Sequence, residues 1–276
     1  MNSNNHTISV SERNLEFYQS LGFLSAKDVL AERGPRPLEL FKTMLRPISA
    51  SPLKRYGPSH DGGYVIANEI LSSSDKVYSY GVGLHPHECQ FDLELAAIGK
   101  TLFLYDGTIN QPPLNHPNFV FKRENVNSTR ILSHLKDNGD FNQTNLTLKM
   151  DIEGAEYETL INCEEIVLGH FSQIIIEIHD ILDSLTRASF GLPLDEIDLF
   201  CLLRRLLIHF EIAHVHANNY GKVLEEIPDV MELLLIRKDH VVASTISPSP
   251  FSFPIAGLDF PNDPNQKDIS LTWWEQ

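Results

Sequence analysis

The run Lys149-Met-Asp-Ile-Glu-Gly-Ala-Glu-Tyr157 places three carboxylates, Asp151, Glu153 and Glu156, around one glycine. Carboxylates this close can ligate a hard cation or move a proton. Acids near a helix start also stabilise the helix, which accounts for Glu153 and Glu156 but not for an aspartate ending an apolar run. Downstream, Glu177-Ile-His179 sets a carboxylate and an imidazole two residues apart, on one face of an extended strand. Asp151, Glu177 and His179 form a candidate site for a divalent cation, with oxygen ligands suiting magnesium and the imidazole shifting the choice toward manganese or zinc. His179 and His216 are candidate general bases, with Asp151 beside them in the chemistry. His85, His87, His116, His134 and His240 are expected in loops or at the surface.

A second set of residues suits a nucleotide-like cofactor. Gly81-Val-Gly83 follows an apolar run, and glycine there lets a ligand approach the backbone. Asp106-Gly107 follows the next apolar run, 23 positions after Gly83. An acid about 20 residues beyond such glycines can accept both hydroxyls of a ribose. Glu124-Asn125 ends the third run, and Asp61-Gly-Gly precedes the first; that aspartate is either a ligand or a turn former.

The elements that must position these residues alternate. Strands are expected at 77–80, 101–105, 119–121, 146–150, 174–178, 211–216 and 230–236, the last two as a hairpin-like ending. The isoleucines of 174–178 suit a strand buried on both faces. Helices are expected between them: Phe91, Leu95 and Ile98 mark one inner face, Ser128 to Lys136 a second helix stopped by Gly139, Ala155 to Ile161 a third, and Leu194 to Phe210 a fourth. This pattern predicts an α/β fold with a mostly parallel seven-stranded sheet. Its ligands would lie beyond the carboxyl ends of the strands, where the polar residues above fall. Residues 1–54 read as a helical extension, with Pro35 and Pro37 ending a helix. Residues 55–246 form the main domain, and 247–276 an irregular strap with Trp273 and Trp274 as anchors.

Leu148-Lys-Met-Asp-Ile-Glu-Gly-Ala-Glu-Tyr157 resembles the signature of the FkbM-type S-adenosylmethionine-dependent methyltransferases. Asp61-Gly-Gly-Tyr-Val65, Ile175-Ile-Glu-Ile-His179 and His214-Val-His-Ala-Asn-Asn219 agree with that family's pattern in the same order. The resemblance implies a class I methyltransferase (Rossmann-like) sheet, S-adenosylmethionine as cofactor, and methyl transfer to oxygen, often a sugar hydroxyl. It also implies roles. Gly81 and Gly83 would pass the methionine half of the cofactor, Asp106 with Gly107 would meet the ribose, and Asn125 or Glu124 would face the adenine. Asp61 would take the amino group, and Asp151 would stand beside the transferred methyl.

The whole composition sets limits. The 276 residues are 42 % apolar, enough for a full core, and 22 Lys plus Arg stand against 37 Asp plus Glu, a net charge of −15. Such a surface repels polyanions, so nucleic acid and anionic membranes are poor expectations as partners, and a neutral or cationic small molecule or glycan is a better one. Cys89, Cys163 and Cys201 are scattered, the N-terminus lacks an apolar leader, and no run is long enough to span a membrane. The expected compartment is the cytoplasm. Two other readings use the same residues: a metal-dependent hydrolase, which leaves Asp106 and the glycine turn unexplained, and a binding module without catalysis, which leaves the acids at four strand ends unexplained.

Overall fold

The computed structural model describes residues 36–48, 52–241 and 252–274. Seven strands form one sheet: β3 (Lys76–Tyr80), β4 (Thr101–Tyr105), β5 (Phe119–Lys122), β6 (Leu146–Met150), β7 (Phe171–Ile178), β8 (Phe210–Ala217) and β11 (Met231–Arg237). Two small hairpins, β1 (Leu53–Tyr56) with β2 (Tyr64–Ala67) and β9 (Val223–Leu224) with β10 (Ile227–Pro228), lie outside it. The spatial order is β5-β4-β3-β6-β7-β11-β8, parallel except for β11, which runs antiparallel to both β7 and β8. Numbered within the sheet, this is 3-2-1-4-5-7-6, the class I methyltransferase sheet expected from the sequence.

The core explains the alternation in the strands. On β7, Ile174, Ile176 and Ile178 enter the larger apolar cluster and Ile175 the smaller one, so both faces are covered. The larger cluster is closed by α1 (Pro37–Met44), α4 (Arg130–Asp137), α5 (Glu156–Asn162), α7 (Ile181–Ser189) and α8 (Asp198–His209). The smaller one is closed by the β1–β2 hairpin, α2 (Asn68–Ser73) and α3 (Gln90–Ala97). A one-turn helix, α6 (Glu165–Leu168), leads into β7.

Three expectations change. Pro37 opens helix α1 rather than ending one. A proline at the first helical position gives up an N–H that has no partner there anyway, and its φ is already helical. Ile98 is exposed, because α3 ends at Ala97 and Ile98 caps it facing solvent. The fourth expected helix begins instead with a separate turn at Leu194–Glu196, and Ile197 is extended before α8. The rest of the expected helical extension before residue 36 lies outside the described residues. Residues 252–274 form isolated bridges only, Phe253 with Leu271 and Ala256 with Asp259. Trp274 is buried and donates its indole N–H to the Lys42 carbonyl in α1 (2.7 Å), while Trp273 packs on Phe41.

Chain order reverses between β3 and β6, which opens a crevice at their carboxyl ends. There the two strands touch: the Asp151 N–H donates to Tyr80 O (3.0 Å), and a Cβ on Gly81 would lie 1.6 Å from the Asp151 carbonyl oxygen. Gly81 also has φ +79°, a left-handed conformation. Gly99 has φ +94° but nothing within 4 Å of an added Cβ. Gly99→Ala should therefore cost only the left-handed strain, about 1–2 kcal/mol. Gly81→Ala should cost clearly more, beyond about 3 kcal/mol, because backbone must also move. Urea unfolding of the two variants side by side measures the difference, and equal losses would contradict the close approach.

Candidate active site

The crevice holds a cavity of about 900 Å³ lined by the carboxyl ends of β3, β4, β6 and β7. Of the residues singled out from sequence, Asp61, Gly81, Gly83, Asp106, Gly107, Asn125, Asp151, Glu177 and His179 all line it, and His216 does not. Neighbours without an assigned role join them, among them Tyr64, Thr108, Lys149 and Glu153.

The glycine turn is held by Asp106. Its Oδ2 accepts the N–H groups of Val82 (3.0 Å) and Gly83 (3.2 Å), and its Oδ1 accepts the N–H (2.8 Å) and hydroxyl (2.6 Å) of Thr108. Burial alone would raise this acid, but these donors hold it below the usual carboxylate range. All four acceptor sites of the carboxylate are thus in use, so a ribose hydroxyl would have to share or replace Thr108. The Asn125 side chain packs into the space beside Gly107, with Oδ1 2.0 Å from where a Cβ would lie and the Asn125 backbone nitrogen at 2.9 Å.

At the tip of β6, Asp151 Oδ2 accepts the Tyr64 hydroxyl (2.7 Å) and lies 3.6 Å from Lys149 Nζ. Lys149 is buried and donates to Gly81 O (2.5 Å), which ties the glycine turn to the β6 tip. Burial disfavours its charge, but Asp151, Asp92 and Glu177 outweigh that and raise its pKa. A lysine in the middle of the apolar run 146–150 was the sequence signal for this contact.

Glu156 is the first residue of α5, yet it is not a solvated helix-start acid: it is fully buried. Its Oε2 accepts Gly154 N–H (2.8 Å), and its Oε1 accepts the backbone N–H of His179 (2.9 Å) and sits 3.0 Å from His179 Nδ1. The carboxylate assigns the proton to Nδ1 and leaves Nε2 toward Glu153 (3.5 Å) and Glu177 (3.9 Å). Burial lowers the His179 pKa, and Glu156, Asp151 and Glu153 raise it by more, so it ends above its ordinary value.

Ligand atoms of Asp151, Glu153 and His179 all lie within 4.8 Å of one another. Glu153, at φ +56° in the tight turn after β6, thus stands where the sequence reading placed Glu177. Glu177 instead accepts the Asn218 amide (2.7 Å) and pairs in register with Glu232 of β11, so their side chains share a face. Burial first, then repulsion from Asp151, Glu232 and Asp61, keeps Glu177 well above the ordinary carboxylate range. The donor set of two carboxylates and an imidazole fits a hard cation, and a ligating histidine held by a carboxylate at its other nitrogen is the usual support.

His216 is separated from this group because β11 inserts between β7 and β8. Its Nδ1 meets Glu232 (3.3 Å) and its Nε2 meets Asp268 (3.2 Å). His134, expected at the surface, is also buried, stacked on Tyr105 with ring centroids 3.8 Å apart. Burial works against charge on His216, yet the two carboxylates bring its pKa up to about 10. A doubly paired imidazolium has no free lone pair to accept a proton. Because the folded pKa lies above the unfolded value near 6.5, its stabilising effect is complete below about pH 6.5 and is lost as pH rises through about 10. Thermal melting should therefore drop across that window, and His216→Gln should flatten the drop. An unchanged slope in the variant would contradict the paired imidazolium.

Comparison with known proteins supplies the family. The methyltransferase FkbM domain matches residues 59–235, from the loop before β2 to the middle of β11. No curated protein matches the chain well enough to count as a relative. Among solved structures, bluetongue virus VP4, described as a multifunctional RNA-capping production line, is similar at 19 % identity with a TM-score of 0.31. That similarity covers 55 % of this chain and 27 % of the viral one. The matched segment contains the glycine turn, Asp106, the 148–157 signature and His179, the residues that meet around the cavity. On that match, the chain belongs to the FkbM methyltransferase family.

Proposed function

We propose that this protein is an S-adenosylmethionine-dependent O-methyltransferase acting on a hydroxyl of a sugar, glycan or glycosylated small molecule. The observation that carries the reading is the His179 imidazole, oriented by buried Glu156 and facing a cavity at the sheet's switch point. When bound, the cofactor supplies a methyl group on a sulfonium, which leaves as a thioether when the acceptor oxygen takes the methyl. An alcohol is a weak nucleophile, so the proton needs a destination. His179 Nε2 takes it as the oxygen–carbon bond forms, and Glu156 stabilises the resulting imidazolium through Nδ1–H. The Tyr64 hydroxyl, which donates to Asp151 Oδ2, and the Lys149 ammonium beside it hold Asp151 in place at the wall.

Charge supports the acceptor class. Asp61, Glu88, Asp106, Glu124, Asp151, Glu153 and Glu177 line the cavity against one lysine among the described residues. Such a field disfavours phosphates and polynucleotides and suits a neutral or cationic polyol. Exposed Leu84 and Tyr220 at the lining add apolar surface for a ring. No helix among the described residues is long and apolar enough to cross a membrane.

A second reading of the same wall has Asp151, Glu153 and His179 holding magnesium or manganese, which would lower the pKa of the acceptor hydroxyl. Family membership favours either over the hydrolase.

Calorimetry with S-adenosylhomocysteine should show binding, and Asp106→Ala should weaken it by roughly 1.5–3 kcal/mol. Absence of binding heat with folded protein would overturn the reading. With a saccharide acceptor, His179→Ala should keep cofactor binding and lose roughly 10²–10⁴ in turnover. If His179 is the base, turnover ignores chelator and rises with pH through a pKa above its ordinary value. If a cation is used, chelator abolishes turnover and added magnesium or manganese restores it.

A further inference from the structure

The segment 252–274 lies beyond the residues matched by the family, yet it reaches the cavity wall. Asn262 is fully buried. Its Nδ2 donates to Asp61 Oδ1 (3.2 Å) and to Glu232 Oε1 (2.7 Å), and its backbone carbonyl accepts the Asp61 N–H (3.2 Å). An amide flip would turn its oxygen toward two carboxylates, so its orientation is set by charge.

The segment is held on both sides of Asn262 by residues of the His214–Asn219 run. Asp259 lies 2.9 Å from His214 Nε2. Asp263 N–H donates to Asn219 Oδ1 (2.6 Å), and Asn219 Nδ2 donates to the Asp263 carbonyl (3.1 Å). Asp268 meets His216, which in turn meets Glu232. One polar chain, buried at His216, Glu232 and Asn262, therefore runs from Asp268 to Asp61 and ends on a cavity residue.

Resting on the methyltransferase reading, we propose that Asn262 is a positioning residue for Asp61, and that Asp61 receives the amino group of the cofactor's methionine part. Without the amide, Asp61 loses a donor on its side chain and faces Glu232, whose field repels it. The carboxylate would turn away from the position from which it meets a bound ammonium. The C-terminal segment is then a working part of the cofactor site, and the matched domain alone is incomplete.

Two ligands separate this from a general loss of structure. S-adenosylhomocysteine carries the amino acid part, and 5′-methylthioadenosine carries the same nucleoside and thioether without it. For the full chain, Asn262→Ala should weaken S-adenosylhomocysteine roughly tenfold, a part of what a charged hydrogen bond contributes, and leave 5′-methylthioadenosine within about twofold. The isosteric Asn262→Asp, which keeps volume but removes the donor, should show the same split at least as strongly, and it serves if the alanine variant does not fold. Asp61→Asn should show the split too, and adding Asn262→Ala to it should weaken binding little further. Equal weakening of both ligands, or unchanged S-adenosylhomocysteine affinity, in the folded Asn262 variants would overturn the proposal. Wild-type protein that binds neither ligand would instead overturn the methyltransferase reading, and this proposal with it.

Discussion

One buried ammonium group holds the switch point together. Lys149 joins the glycine turn after β3, through the Gly81 carbonyl, to the acid at the tip of β6, Asp151. Among the described residues it is the one lysine at a cavity lined by many acids, and its charge survives burial because those acids surround it. Asp92, fully buried and pushed up to about 6 by that burial, is part of the same field. Removing one partner of a buried charge pair leaves the other uncompensated, which is far costlier than the pair's net contribution. The cation and the acids therefore constrain each other: Lys149 ties the Gly81 carbonyl to the Asp151 carboxylate, and the acids keep its charge.

Around that contact the carboxylates divide by what they touch. Asp106 is saturated by four donors and shapes the glycine turn. Glu156 is buried and works through the histidine it orients. Asp151, Glu153 and His179 face one another across the wall. Glu177 is held by Asn218 and crowded by Glu232 and Asp61, so burial and repulsion favour its protonated form. Side chains of one chemical type thus carry separate duties because their hydrogen-bond partners and their exposure differ.

The antiparallel strand β11 does two things at once. It completes the sheet between β7 and β8, and it places Glu232 in a row between Glu177 and His216. That row carries the C-terminal segment toward the cavity through Asn262. The histidines that end β8 are consequently devoted to holding chain to chain rather than to meeting a ligand. A short-range motif and a distant segment of the same chain meet only because the last strand reverses direction.

By itself the sequence determined the layer architecture, because strand and helix periods alternate and each isoleucine run has only one way to bury two faces. It also determined that polar chemistry gathers at strand ends, since carboxylates, glycines and histidines follow the apolar runs of β3, β4, β6 and β7. Spacing within one strand was legible; neighbours across the sheet were not. His216 lies near the end of β8, the next strand in sequence after the one His179 follows, and the insertion of β11 between the two strands moves it away. Glu156 reads as an ordinary helix-start acid until β7 brings His179 against it. Glu153 reads as its companion until a left-handed turn aims it at the same wall. Pro37 stops or starts a helix depending on whether the residues after it find a core to cover, and Leu40, Phe41 and Met44 do. Those decisions belong to tertiary structure, because each depends on a contact between residues far apart in the chain.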